Sequence, residues 1–315
     1  MNMDLSIVIV NWNAKDYLKK CVASIYEDAT NLSFEIIIVD NASSDGSVEM
    51  VKFEFPKVRL INNSSNSGFG IANNIGIKES IGRYILFLNP DTLVLPDCLK
   101  KLMGFLDKNA SAGAVGPKII NPDGSIQVSC ARNTPGLWSE FFELTYFNYL
   151  FPKVRLFNRQ YLGTGEYDTD KEVDLLSGSC MMVRRSVLDE IGLFDPSFFI
   201  YGEDIDLLYR IKKAGWKVWY LYSARLVHFG GESTKQVPEK KVFHNLRSKY
   251  LFLKKHFGRT KAAAYIAVVV ISVIIVYLLF MPFLLMGTAN IRAKARNLVS
   301  QNNRTIKWVL KRQWD

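Results

Sequence analysis

Three acids in four residues, Glu203, Asp204 and Asp206, stand in the stretch FFIYGEDIDLLYRIKKAGWKVWY, residues 198–220. Leu207, Leu208, Ile211 and Ala214 follow at helical spacing, so the acids fall at a helix start. A helix N-terminus favours carboxylates for its own stability. That reason does not cover the aromatic approach or Tyr201 beside them, and one carboxylate set against a substrate hydroxyl is a general base. A second candidate lies in YILFLNPDTLVLPD, residues 84–97, where an apolar run stops at Asn89-Pro90-Asp91. Asn-Pro-Asp suits a β-turn. One carboxylate at a strand end, sharing a cation with the oxygens of a diphosphate, also meets what Mg²⁺ or Mn²⁺ requires. His228 closes ARLVHFGG, either as a structural histidine or as a metal ligand beside two glycines.

Two further stretches suit a nucleotide. Asp40 ends an apolar run and opens DNASSDGS, as a contact to a nucleoside or as a turn residue. NSGFGIANNIG, residues 66–76, includes Asn73 and lets backbone N–H groups approach a phosphate. It is neither GxGxxG nor a P-loop, and a plain glycine-rich turn would read the same way.

The elements that must position these residues alternate. LSIVIVNW, FEIIIVDNAS, VRLINN and RYILFLNPD read as strands, and AKDYLKKCVASIYE, DGSVEMVKFEF and GIANNIGIKES as helices between them. Fully apolar strands alternating with helices give an α/β fold, a parallel sheet covered on both faces. Such sheets bind ligands at the carboxyl ends of their strands. Asn11, Asp40, Asn89 and Asp91 all fall at such ends. The carboxylate closing the 84–91 strand is therefore expected at the rim where the ligand sits.

The formal charge of +10 is unevenly spread: twelve Lys/Arg and one acid, Asp315, lie from Lys249 onward, which leaves residues 1–248 at −1. No nucleic-acid partner is expected, because that would call for a basic face on the folded part. Cys21, Cys98, Cys130 and Cys180 form no CxxC pair and read as buried free thiols in a reducing compartment. MNMDLSIVIVNWN lacks a basic start and runs straight into a strand, so no leader is expected. Residues 262–287 carry no charge; as a helix they would reach roughly 39 Å, more than a hydrocarbon core. They read as a membrane segment, either one tilted span or, because Pro282 lies inside, a re-entrant hairpin. Both flanks are basic, so charge does not orient it. Ile306, Val309, Leu310 and Trp314 give the basic tail an apolar face for an anionic membrane. The expected division is 1–248, a catalytic domain; 249–261, a basic linker; 262–287, the membrane segment; and 288–315, the tail. The aromatic stretch 136–163 reads as core packing, a lid, an acceptor-binding surface or a membrane-facing patch.

Taken together, SIVIVNWN, IIIVDNASSDGS, NSGFGIANNIG, LFLNPDT, LLSGSCMMVRRSVLDEIGLFDPSFFIYGEDIDLLYRIKKAGW and VHFGG resemble, in order and over about residues 5–231, the inverting GT-A-type glycosyltransferases of family 2, in particular rhamnosyltransferase-like bacterial members. The resemblance implies a Rossmann-like, mainly parallel sheet sandwiched by helices, and roles residue by residue. Asp40 contacts the nucleoside, with Asn11, Asn73, Asn89 and Asp91 on the same donor side. Asp91 stands where the family's Asp-x-Asp motif ends, and Asn89 replaces its first acid. Asp204 is the second acid of the Glu-Asp pair and the catalytic base, with Glu203, Asp206 and Tyr201 on the acceptor side. His228 helps Asp91 hold a divalent metal, Mg²⁺ or Mn²⁺. The implied donor is a UDP- or dTDP-sugar, with rhamnose as the sugar, and the acceptor a lipid-linked or cell-envelope glycan. The implied location is a bacterial-type inner membrane, the catalytic domain facing the cytoplasm. A nucleotidyltransferase would instead show a Gly-rich loop with a basic residue near the first strand, which VNWNAKDYL lacks. A non-catalytic scaffold would be favoured by loss of Asp91 or Asp204, and both are present.

Overall fold

The computed structural model describes residues 3–163, 165–230, 238–286 and 289–311; Gly231, Arg312 and Trp314 lie outside them. The chain folds as two compact units, Met1–Asn133 with Tyr161–Gln236, and Thr134–Gln160 with Val237–Asp315.

The first unit begins with the alternation read from the sequence: β1 (Leu5–Asn11), α1 (Lys15–Asp28), β2 (Phe34–Asp40), α2 (Ser47–Glu54), β3 (Arg59–Asn62), α3 (Phe69–Lys78) and β4 (Tyr84–Leu88). Every residue of β1 and β4 is buried, as a strand covered on both faces requires. β5 (Thr92–Val94), α4 (Cys98–Lys108), β6 (Ala112–Ile120) and β7 (Ala131–Arg132) follow. The chain then contributes α5 (Leu137–Leu144) and α6 (Phe147–Leu150) to the second unit. It returns with β8 (Lys171–Glu172), β9 (Leu175–Leu176), β10 (Cys180–Arg184), α7 (Arg185–Ile191), α8 (Glu203–Lys213) and β11 (Lys217–His228).

The main sheet has the order β3-β2-β1-β4-β10-β6-β11-β5, with β8 on β11. β1 is parallel to β2 and β4, and β6 to β11; β10 runs antiparallel to both β4 and β6. β5 runs antiparallel to β11. Six strands therefore share one direction, and the sheet is mixed but mostly parallel. Leu18, Cys21, Val22 and Ile25 of α1, Leu99, Leu102 and Leu106 of α4, and Leu207, Leu208 and Ile211 of α8 seal it. All four cysteines are free and buried. Burial pushes the Cys21 thiol up to about 12 and Cys130 up to about 11.

In the second unit, α9 (Pro238–Met286) is followed by α10 (Ala289–Lys311). Gly258, at φ 87°, interrupts α9. Beyond it the apolar stretch is helical through Pro282 to Met286, so that proline does not end the helix. Among the described residues this is one helix long and apolar enough to cross a membrane, with mean hydropathy 2.9. α10 runs back along α9: Asn302 Nδ2 donates to the Val273 carbonyl at 3.0 Å, and Trp308 is buried with Leu246, Tyr265 and Val269. Val309, expected on the headgroup face, packs into that cluster, whereas Leu310 is exposed.

Candidate active site

The strand directions bring the chemistry to one edge. β1, β2, β4 and β11 all end there, at Asn11, Asp40, Leu88 and His228. β10 starts there, because Cys180 pairs with Leu88. The 89–91 turn is tied to the loop before β10 by Asn89 N donating to the Ser179 carbonyl at 2.9 Å.

Asp91 and His228 meet because β5 pairs with β11, with His228 opposite Thr92. His228 Nε2 lies 3.2 Å from Asp91 Oδ1, both side chains being nearly buried. Nε2 nevertheless makes no hydrogen bond. The ring is set from its other side. Gln127 Nε2 donates to the His228 carbonyl at 2.7 Å and to Asn121 Oδ1 at 2.8 Å. Both amide hydrogens are thereby used, so Gln127 Oε1 must accept from His228 Nδ1, 2.9 Å away. A neutral ring so held carries its lone pair on Nε2. Two acceptors, that lone pair and a carboxylate, then face each other in a buried place. This arrangement fits a divalent cation shared by imidazole and carboxylate. Among the described residues no cluster of three or more His, Cys, Asp or Glu completes the shell. The remaining ligands of such an ion would be substrate oxygens and water.

Asp204 sits in the first turn of α8, half-buried. Gly178 N donates to its Oδ2 at 3.2 Å, and Ile205 N to its Oδ1 at 2.8 Å. A Cβ on Gly178 would lie 3.2 Å from both Asp204 Cβ and Oδ2. The carboxylate therefore has a fixed seat, one residue along from the Ser179 carbonyl that holds Asn89. Glu203 beside it is buried, and its Oε2 has no hydrogen-bond partner. Burial first, and then the Asp204 charge, raise its carboxyl well above the usual range. Glu203 is thereby favoured in its protonated form. Tyr201 and Gly202 both take left-handed backbone, φ 65° and 84°, to turn the chain into α8.

On the other side Asp40 holds a turn. Its Oδ1 accepts Ser43 N and its Oδ2 accepts Asn11 Nδ2, each at 2.8 Å. Asn41 receives Asn63 Nδ2 at 2.8 Å and donates to the Gly68 carbonyl at 3.2 Å. Gly68, at φ 86°, is required: a Cβ there would stand 2.3 Å from the Phe199 carbonyl, which accepts Phe69 N. The 66–70 loop is so joined to the approach to α8.

Some residues singled out in the sequence are engaged inside the fold. Asn11 is fully buried and serves Asp40. Asn73 is buried in α3 and donates to the Phe69 carbonyl of its own helix. Asp206 is fully buried against Arg210, whose guanidinium binds the carbonyls of Ile191, Gly192 and Leu193 at the end of α7. It braces α7 on α8, and a buried, paired carboxylate has no path to an acceptor. Gln127 and Gly178 carried no signal of their own in the sequence: Gln127 lies in no stretch singled out there, and Gly178 stood unremarked inside LLSGSC.

The family model for glycosyl transferase family 2 matches residues 6–192, and the chain belongs to that family. It is similar to the N-acetylglucosaminyl-diphospho-decaprenol L-rhamnosyltransferase of Mycobacterium tuberculosis, 32% identical over 272 residues, 82% of this chain and 87% of that protein. It is also similar to the rhamnosyltransferase WbbL of Escherichia coli K12, 26% identical over 259 residues, 79% of this chain and 92% of that protein. Among solved structures it shares its fold with the mannosyltransferase PcManGT of Pyrobaculum calidifontis, solved with GDP-Man and Mn²⁺. That match has TM-score 0.61 at 13% identity over 100% of this chain and 88% of the other. GalNAc-T7, solved with UDP, GalNAc and Mn²⁺, matches at TM-score 0.57 and 18% identity over 81% of this chain and 51% of the other. The protein is a glycosyltransferase of GT-A-like architecture.

Proposed function

We propose that the protein moves a sugar, rhamnose, from a UDP or dTDP donor to a lipid-linked glycan acceptor with inversion at the anomeric carbon. The observation that carries this reading is the pairing, along one sheet edge, of a seated carboxylate, Asp204, with the Asp91–His228 pair through the Gly178–Ser179–Asn89 backbone. Asp204 takes the proton of the acceptor hydroxyl as that oxygen attacks. Asp91 and His228 would hold Mg²⁺ or Mn²⁺, which supplies positive charge against the departing diphosphate. Asp40 fixes the turn at the end of β2 on which the nucleoside rests, and the 66–70 loop offers backbone to the phosphates. No covalent intermediate is needed, since one displacement inverts the centre. The rhamnosyl donor and the lipid-diphosphate acceptor are inferred from the name of the mycobacterial relative. The apolar part of α9 would anchor the enzyme to a bacterial-type inner membrane with the first unit on the cytoplasmic side.

The test is thermal stability of the purified protein with UDP-, dTDP-, GDP- and CMP-sugars, each with Mn²⁺ or with EDTA. Stabilisation by dTDP-rhamnose or its UDP counterpart, dependent on Mn²⁺, is expected. Stabilisation by GDP- or CMP-sugars alone would refute the donor class, and equal shifts in EDTA would refute the metal.

A further inference from the structure

Residues 146–159, YFNYLFPKVRLFNR, hold three cations, Lys153, Arg155 and Arg159, and no acid. All eight residues 149–156 are exposed, among them Leu150, Phe151, Val154 and Leu156. Tyr149 is 79% exposed, and Trp138 on α5 is 74% exposed. Single apolar side chains on a surface need no explanation, but a contiguous run of this size marks a contact.

The run is held in shape. Beneath it the Phe157 ring lies 4.8 Å from Phe142, 5.7 Å from Phe147 and 5.7 Å from Phe151, centroid to centroid. Asn158 Nδ2 donates to the carbonyls of Phe151 and Val154, both at 3.1 Å. Val154 N and Phe157 N bond the carbonyls of Phe151 and Val154 in turn. A loop that satisfies its own backbone can leave water at low cost. The base of this loop is fastened to α9. Lys249 Nζ lies 2.7 Å from Glu140 Oε2 and 3.3 Å from Glu143 Oε2. Leu137 and Leu144 pack with Leu246, Tyr265 and Val269. Tyr265 and Val269 belong to the first turns of the uncharged segment that starts at residue 262, so α5 is fixed at the end where that segment begins.

We propose that residues 138–156 form a second membrane contact, an aromatic wedge seated in the headgroup region of an anionic bilayer. The rings of Trp138, Tyr149 and Phe151 lie at the level of the headgroups, where aromatic residues concentrate. Leu150, Val154 and Leu156 reach the acyl boundary, and Lys153, Arg155 and Arg159 meet lipid phosphates. The absence of acids from residues 146–159 is the complement of such a surface, the two acids of α5, Glu140 and Glu143, being turned to Lys249. The proposal rests on the reading of α9 as the membrane segment.

The test uses the full chain in phosphatidylglycerol–phosphatidylethanolamine vesicles, one set containing lipids brominated near the headgroup, read by the label at 150, and one containing lipids brominated at mid-acyl chain, read by the label at 278. Leu150→Cys carries an environment-sensitive fluorophore; the four native thiols are buried and do not compete. Leu278→Cys, in α9, and Lys57→Cys, on the first unit, serve as references. The label at 150 should be quenched several-fold more than at 57, and the excess should fall when Lys153 and Arg159 are replaced by Glu or when the vesicles are zwitterionic. Quenching at 278 with the 150 label behaving like the 57 label overturns the wedge alone. A blue-shifted but unquenched label at 150 overturns it in favour of a protein partner. No quenching at 278 overturns the membrane reading of α9 as well.

Discussion

Replacing Gln127 by leucine removes three hydrogen bonds at once: one accepted from His228 Nδ1 and two donated, to the His228 carbonyl and to Asn121 Oδ1. The ring then loses the contact that fixes which nitrogen carries the proton, and it can turn away from Asp91. Losing such a partner of a metal ligand typically costs about 10- to 100-fold in metal affinity, or roughly 1.4 to 2.7 kcal/mol. The assay is a Mn²⁺ titration of nucleotide-sugar turnover with the thermal midpoint measured in parallel. The half-saturating Mn²⁺ concentration should rise by about that factor, with much of the rate recovered at saturating metal. Gln127→Glu keeps an acceptor for Nδ1 but cannot donate, so it should lose less metal affinity than leucine does. An unchanged Mn²⁺ dependence in a leucine variant of normal stability would refute the reasoning. Either the ring would be held without Gln127 or it would not be a ligand.

Three other outcomes follow from the same geometry. Gly178→Ala places a methyl group 3.2 Å from the Asp204 carboxylate at a glycine whose backbone is not left-handed. It should fold, bind donor, and lose turnover by about 10-fold or more as the base is displaced, since sub-ångström misplacement is costly; an unimpaired rate would show that the carboxylate has room to move. Glu203 titrates from 4.5 in the unfolded chain to well above that when folded, through burial and then the Asp204 charge. Above pH 4.5 the unfolded state gives up a proton that the folded state keeps, so stability declines with rising pH until the folded pKa is passed. Glu203→Gln removes that slope, and its thermal midpoint should meet the wild type near pH 4 and exceed it increasingly as the pH rises, until the folded pKa of Glu203 is passed; parallel curves would count against it. The cysteines should not react with Ellman's reagent at pH 8 in the native state, because burial raises every one of their thiols; rapid reaction of any would contradict their placement.

Much of the first unit was legible because its signals are local. The runs IVIV, IIIV and YILFL are apolar without interruption, and they became the cores of β1, β2 and β4 with polar residues at or just past the carboxyl ends. The acids of 203–206 fell in the first turn of α8, as the spacing beyond them indicated. What was hidden depends on pairing across long separations. Nothing in CMMVR states that β10 runs against its neighbours, yet that reversal is what delivers Gly178 to Asp204. Gln127 is 101 residues from His228, and no local pattern links them. Asp206 and Asp204 look equivalent in a string of acids. The helical turn sends one to Arg210 in the interior and leaves the other partly open at the edge. The tail read as amphipathic, but which apolar surface its Trp308 would cover, α9, is decided by tertiary packing.

The most direct test of the account is turnover by Asp204→Asn, measured as release of nucleoside diphosphate from the donor that stabilises the wild type, with acceptor present. The variant should keep its thermal midpoint and its donor-dependent stabilisation while turnover falls on the order of 10²-fold or more, the range for loss of a general base. Near-normal turnover in a folded, donor-binding variant would contradict the account and remove Asp204 from the reaction.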